Sequence, residues 1–182
     1  MEKVNKKGLS NFIHLLLGDA TRLSEINQIG DKTFDKITAM DCAYHFNSRQ
    51  EFFKQSSNRL RAGGILCIVD MVPTEKLLAN NFKSKAFLQM ICTLAKIPKA
   101  NMVSMEEYQD QLKSCGFEIE KVQFLEDSVF PGFVNHLRKC DDLIGLYLSP
   151  TIQAKYKMLS YFLNWIHTYS YLHFVIIKAK KF

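Results

Sequence analysis

The sequence predicts an α/β fold with a mostly parallel sheet, on three observations. Two short apolar runs, Ile37–Met40 and Ile65–Val69, are each followed by an acidic residue, Asp41 or Asp70. Runs of that length and composition read as strands covered on both faces. Second, the polar segment between them opens on Ser48 and carries Glu51 three residues later, a capping box. Phe52, Ser56 and Leu60 then share one helical face, with Phe53 beside them. Third, Gly63 and Gly64 follow, where the pattern predicts a helix ending in a left-handed turn. The unit is strand–helix–strand, with a right-handed crossover. Its functional end is the carboxyl end of the strands, at Asp41 to Phe46 and Asp70 to Thr74.

At 182 residues the chain is long enough for one domain with a real core. Hydrophobic content of 47% and charged content of 23% place it among ordinary globular proteins. The net charge of +6 comes from scattered basic residues, with clusters at Lys3, Lys6, Lys7 and at Lys178, Lys180, Lys181. No aromatic–basic constellation accompanies them, so nucleic acid is not an expected partner. No apolar run is long enough for a membrane span, and the Lys-rich start leads into no secretory signal. The five cysteines match neither a zinc site nor a C-x-x-C pair. They read as reduced, mostly buried thiols of a cytoplasmic protein.

Taken in order, Phe12–Leu17 is the first strand candidate, closed by Gly18-Asp19-Ala20. Thr21 or Ser24 starts a short turn, and Gly30-Asp31 is a loop. By pattern alone Asp19 is a cap or turn residue. After Asp70, Pro73 and Thr74 open a long helical pattern from Glu75 to Ile97. Leu78, Phe82, Ala86, Met90 and Leu94 recur every four residues, with Phe87 and Ile91 alongside, as on a core-packing face, and Pro98 closes it. Ser104 and Glu107 form a second capping box before Tyr108, Leu112 and Cys115. Gly116 stops that helix, and a strand follows over Phe117–Leu125. Val134 to Leu148 is expected to be helical, with Leu137, Ile144 and Leu148 inward. Pro150 breaks it. Ile152 to Thr168 is a further helix, with Tyr156, Leu159, Phe162, Leu163 and Ile166 inward. Tyr171–Ala179 is the last strand.

Several of these pieces resemble class I S-adenosylmethionine-dependent methyltransferases of the small-molecule kind. They are Gly18-Asp19-Ala20, Phe34-Asp35, Ala43-Tyr44-His45-Phe46, Leu60-Arg61-Ala62-Gly63-Gly64 and the strand ending in Asp70. No single piece is specific; their order and spacing are. The match is clearest over residues 13–72. The resemblance implies a truncated Rossmann-like methyltransferase sandwich, with an antiparallel last strand. Residues 1–182 would be one partial domain, with a lid-like helical segment at 74–103 and the C-terminal half of the fold at 104–182. The family's sheet runs 3-2-1-4-5-7-6, and its glycine-rich cofactor loop follows its first strand. No G-x-G occurs in this chain, so the N-terminal third with that loop is expected to be lacking. With the family's first two strands gone, Phe12–Leu17 is expected to slide across and pair with Ile37–Met40. A protein partner covering the exposed sheet edge is the other expectation.

The resemblance implies S-adenosylmethionine as cofactor and a small-molecule substrate. Asp19 and Ala20 would meet adenine, and Asp41 and Cys42 would line the cofactor near its sulfur. His45 would take a hydroxyl proton, since an imidazole titrates in the right range. Asp70 would orient His45 or accept a proton itself. As residues alone, His45 reads equally well as a structural histidine, and Tyr44 and Phe46 as packing residues. His14, His136, His167 and His173 form no metal pair. Two alternatives stay open. One is a catalytically inactive relative serving as a binding or regulatory partner. The other is an unrelated α/β nucleotide-binding oxidoreductase, which ranks last because it needs a glycine-rich turn.

Overall fold

The computed structural model describes residues 8, 11–125, 129–144 and 149–182, with the side chains of 141–144 left aside. Four strands form one sheet: β1 (Phe34–Met40), β2 (Leu60–Pro73), β3 (Phe117–Phe124) and β4 (Leu172–Lys181). Their order is β1-β2-β4-β3. β1 and β2 are parallel neighbours, with Lys36 opposite Ile65 and Met40 opposite Val69. β4 runs antiparallel to both β2 and β3, so only the last strand is reversed. This is the order 4-5-7-6 of the family's sheet.

Among the described residues six α-helices accompany the strands: α1 (Arg49–Arg59), α2 (Glu75–Leu78), α3 (Phe82–Ala95), α4 (Met105–Ser114), α5 (Val129–Ile144) and α6 (Pro150–Thr168). Both predicted capping boxes supply their first halves. The Ser48 hydroxyl accepts the Glu51 amide and the Ser104 hydroxyl accepts the Glu107 amide, each at 3.1 Å. Alternation along β2 and β4 sorts the core onto two faces. Leu66, Ile68, Val72, Val175, Ile177 and Ala179 pack with Phe52, Phe53, Tyr108 and Leu112 of α1 and α4. Met71, Leu172 and Phe174 pack with Leu88, Ile91, Phe130 and Ile166 of α3, α5 and α6. A sheet buried on both faces by helices is the layered α/β solution.

Several expectations are corrected. Phe12–Leu17 is not a strand: it joins no ladder among the described residues, and Phe12, Ile13, Leu15, Leu16 and Leu17 are all exposed. The outer edge of β1 is unpaired among the described residues. A strand exists only through its ladder, and the shift toward β1 does not occur. Gly63 and Gly64 do not end α1. That helix stops at Arg59, and the Lys181 ammonium donates to Ser57 O in its last turn and, at 2.7 Å, to Leu60 O just beyond it. The glycines instead make the irregularity in β2 where Phe34 faces Leu60 but Lys36 faces Ile65. Gly63 has φ +74°, in the left-handed region.

The Glu75–Ile97 helix is broken at Ala79–Asn81. Asn81 turns its side chain to the Ser84 amide and caps α3 rather than continuing α2. The inward face of α3 is Leu88, Ile91 and Cys92, whereas Phe82 is 86% exposed, with Met90 and Leu94 also outward. Along α6, Ile166 is buried but Tyr156 and Leu159 are exposed. Pro150 sits in the first turn of α6, where its missing N–H costs nothing. Ile144 and Leu148 lie outside the described side chains. Of the five free thiols only Cys92 is buried.

Candidate functional site

The carboxyl ends of β1 and β2 converge as the strand order requires. Asp41 follows β1 in a left-handed conformation, φ +54°. Its amide donates to Val69 O at 2.8 Å, which keeps the turn beside β2. Asp41 accepts a 2.7 Å hydrogen bond from the Tyr44 hydroxyl through one oxygen. A short helical turn over Ala43–His45 follows. Its Tyr44 amide donates to Asp70 at 3.0 Å. Asp41, Cys42, His45 and Asp70 are thus brought to one sheet end.

Beneath them lies a network that sequence reasoning missed. Asp70 is 0% exposed and Arg49 1%, and they form an ion pair at 3.1 Å. The Tyr108 hydroxyl donates to the same Asp70 oxygen at 2.9 Å. The Arg49 guanidinium stacks over the Tyr108 ring, 4.0 Å from its centre. Burial pushes the Asp70 carboxyl above its ordinary range, against the pull of Arg49 and the Tyr108 hydrogen bond. Burial also pushes the Tyr108 hydroxyl well up. Asn101 ties the other side of the turn, donating to Tyr44 O and Phe46 O and accepting the Arg49 amide. Arg49 occupies the first turn of a capped helix, where a long cation ordinarily faces solvent. Only the facing Asp70, on the same sheet face as Leu66, Ile68 and Val72, explains its burial.

His45 is exposed, and its Nδ1 lies 3.5 Å from Lys96 O, past the end of α3. Asp70 reaches the His45 turn through the Tyr44 backbone and not through the imidazole, because Tyr44, Arg49 and Tyr108 engage its two oxygens. The Cys42 thiol is pushed up by burial and by the Asp70 charge, so it is a poor nucleophile at neutral pH. The Tyr44 hydroxyl is pushed up too, by burial and by its bond to Asp41.

Asp19 and Ala20 sit apart, in a short helical turn over Ala20–Glu25. One oxygen of Asp19 accepts both the amide and the hydroxyl of Thr21 at 2.8 Å. Those two bonds hold its carboxyl below the usual carboxylate range, the backbone one most. Ala20 and Cys42 each pack against the same core cluster. A groove of about 640 Å³ opens where β2 ends and β4 begins, lined by Thr74, Glu75, Lys76, Ser104 and Tyr169 among others.

Residues 1–68 match the family model described as a methyltransferase domain. The chain is 30% identical over 144 residues to erythromycin 3''-O-methyltransferase of Saccharopolyspora erythraea, covering 78% of this chain and 46% of that protein. The fold superposes with a TM-score of 0.80 on a structure assigned to a sarcosine dimethylglycine methyltransferase of Galdieria sulphuraria. That alignment is 20% identical and covers 99% of this chain and 63% of the other. The chain belongs to the class I S-adenosylmethionine-dependent methyltransferases. A second member, the geranyl diphosphate C-methyltransferase of Streptomyces coelicolor, superposes at a TM-score of 0.71 with 10% identity, over 100% of this chain and 58% of that one. The chain spans about half the length of the O-methyltransferase it matches. In this chain the strand order and the reversed β4 are those of the family's fold.

Proposed function

We propose that this chain carries the acceptor-side wall of an S-adenosylmethionine-dependent O-methyltransferase for a small-molecule hydroxyl. The observation that carries the reading is the exposed His45 imidazole on a turn pinned from below by Asp70 and Asn101. The residues present fit the donor in one respect. Asp19 and Asp41 are exposed carboxylates, each anchored through one oxygen to its own turn. Each therefore has a second oxygen to accept from an amino group, at adenine for Asp19 and near the sulfonium for Asp41. Ala20 would offer its amide to the adenine ring, and Cys42 its bulk beside the sulfur. The bound donor supplies an electrophilic methyl group.

The chain's own part is proton handling and positioning. Lys96 O can only accept, so the Nδ1–H tautomer of His45 satisfies it and leaves Nε2 as the proton acceptor. Nε2 would take the hydroxyl proton as the oxygen attacks. Asp70, Arg49 and Tyr108 would hold the Tyr44–His45 backbone in place while that proton moves. The segment 74–103, with α2 and α3, would wall the acceptor. The unpaired cysteines suit a cytoplasmic protein, and the open edge of β1 would accept a strand from a protein partner.

Calorimetric titration with S-adenosylmethionine tests the first half of the reading; saturable heat is the expected result. Its absence would favour the other reading, a relative that binds or regulates without transferring methyl groups. Where transfer is measured, His45→Ala is expected to lower the rate by about 10²–10⁴ with cofactor affinity little changed. Equal rates would remove His45 from the chemistry.

A further inference from the structure

We propose that the joint outer face of α3 and α6 docks onto an anionic lipid surface, lying along it as a peripheral anchor. Along α6, Met158, Tyr161, Trp165 and, just beyond its end, Tyr169 recur every three or four residues, and all are exposed, Tyr161 by 74%. That spacing puts them on one stripe. Trp165 meets Phe87 of α3 edge-on at 4.9 Å, so α3 adjoins the stripe. Phe82, Met90 and Leu94 of α3 are exposed as well. No helix of the described residues is long and apolar enough to cross a membrane. Isolated exposed apolar residues need no explanation, but a contiguous aromatic stripe does.

Charge says what covers it. Residues 76–105 contain Lys76, Lys83, Lys85, Lys96 and Lys99 and no Asp or Glu. Residues 149–171 contain Lys155 and Lys157 and again no Asp or Glu. Seven of the 24 basic residues thus lie in these two stretches and none of the 18 acidic ones. Elsewhere acidic residues outnumber basic ones, so positive charge is sorted onto the segments that bear the stripe. Lys83 is one turn from Phe87. Lys76 lies over the rings of Tyr169 and Tyr171, 5.2 and 4.8 Å from their centres. Trp and Tyr bodies with lysine flanks are the composition of a helix lying in a membrane interface. A second copy of this chain is disfavoured, because a two-fold contact would set lysines against lysines. The C-terminal end of α3 meets His45 through Lys96 O, so the docked face would adjoin the candidate site.

Trp165 is the single tryptophan of the chain and therefore reports docking directly. The test adds the full chain to phosphatidylcholine vesicles with and without phosphatidylserine. A blue shift of Trp165 emission, quenching by brominated acyl chains and co-flotation are expected with phosphatidylserine, weakening as salt rises. Lys83→Glu and Lys155→Glu are each expected to lower partitioning by about fivefold or more, and Tyr161→Ser to reduce the blue shift. Both lysines and Tyr161 are exposed, and far-UV circular dichroism reports that each variant is folded. Unshifted, unquenched wild-type emission with anionic vesicles overturns the proposal without any variant. So does a concentration-dependent blue shift in the absence of lipid, which would make a second copy the occupant. Binding unaffected by both lysine reversals also overturns it.

Discussion

At the scale of single residues, the pair Arg49–Asp70 decides whether the His45 turn exists. Both side chains are fully buried, and two further Arg49 nitrogens have no protein partner. Each charge is tolerated only because the other is there. Asp70→Asn is expected to cost about 3–5 kcal/mol in urea unfolding, and Arg49→Met a similar amount. The double variant should cost clearly less than the two losses together, because it leaves no unpaired charge. Additive losses would mean that the two side chains act independently. Tyr108→Phe removes a single donor and should cost about 1–3 kcal/mol. Asp19 gives a pH dependence of known sign. Its carboxyl is depressed by the Thr21 bonds, so the turn's added stability is present above the unfolded carboxylate range and lost as pH falls through the folded value. A carbon-detected NMR titration should find Asp19 below the ordinary carboxylate range. Asp41 stands out in the sequence because it directly follows an apolar strand run, whereas Asp19 stands behind a run, Phe12–Leu17, that forms no strand. Arg49 was not legible, since the first turn of a capped helix gives no sign that a guanidinium points inward.

Elements follow from local chemistry where one signal dominates and fail where tertiary contacts choose. Ser48 and Ser104 predicted two helix starts because a hydroxyl acceptor three residues before an acidic side chain has few other uses. Ser48→Ala should cost about 1 kcal/mol in thermal or chemical unfolding. The break between α2 and α3 was hidden: a four-residue apolar repeat runs through it, and only the Asn81 side chain, bound to the Ser84 amide, makes the stop. The four-residue repeat itself faces outward on α3 at Phe82, Met90 and Leu94, and the packing selects Leu88, Cys92 and Ile91, of which only Ile91 stood beside the repeat. Gly63-Gly64 was read as a helix end because nothing local distinguishes that from a bulge. The packing does. A Cβ on Gly64 would lie 2.9 Å from Arg61 O and 3.2 Å from Asp35 O, both backbone atoms. Gly64→Ala should therefore destabilise by about 1–3 kcal/mol, measured by urea unfolding, with β1 pairing most affected in hydrogen exchange. A neutral result would show that the Phe34–Leu60 end of the ladder yields without cost.

For the whole molecule, the sheet order was legible once the family resemblance supplied it, and the fate of Phe12–Leu17 was not. An apolar run of six residues reads as a strand in isolation, but strands are properties of pairs. β1 has one partner, β2, and its other edge is unpaired among the described residues. Met40 at its end is 74% exposed, and the Phe12–Leu17 run nearby in sequence is exposed as well. An uncovered edge with exposed apolar side chains is a site for strand addition between molecules. The protein is therefore expected to self-associate through β1 as its concentration rises, by sedimentation velocity. Met40→Lys places a charge on that edge, and Leu17→Lys places another on the exposed run. Together they should lower association without shifting the urea midpoint, because neither side chain is in the core. Lys83→Glu, on the α3 face, should leave this association unchanged, which separates edge pairing from any contact through α3 and α6. If Met40→Lys and Leu17→Lys leave the sedimentation profile as it was while the wild type associates, the contact is elsewhere. A wild type that stays monomeric at high concentration would instead mean that the β1 edge is protected by its own twist and by Lys36, the lysine it already carries.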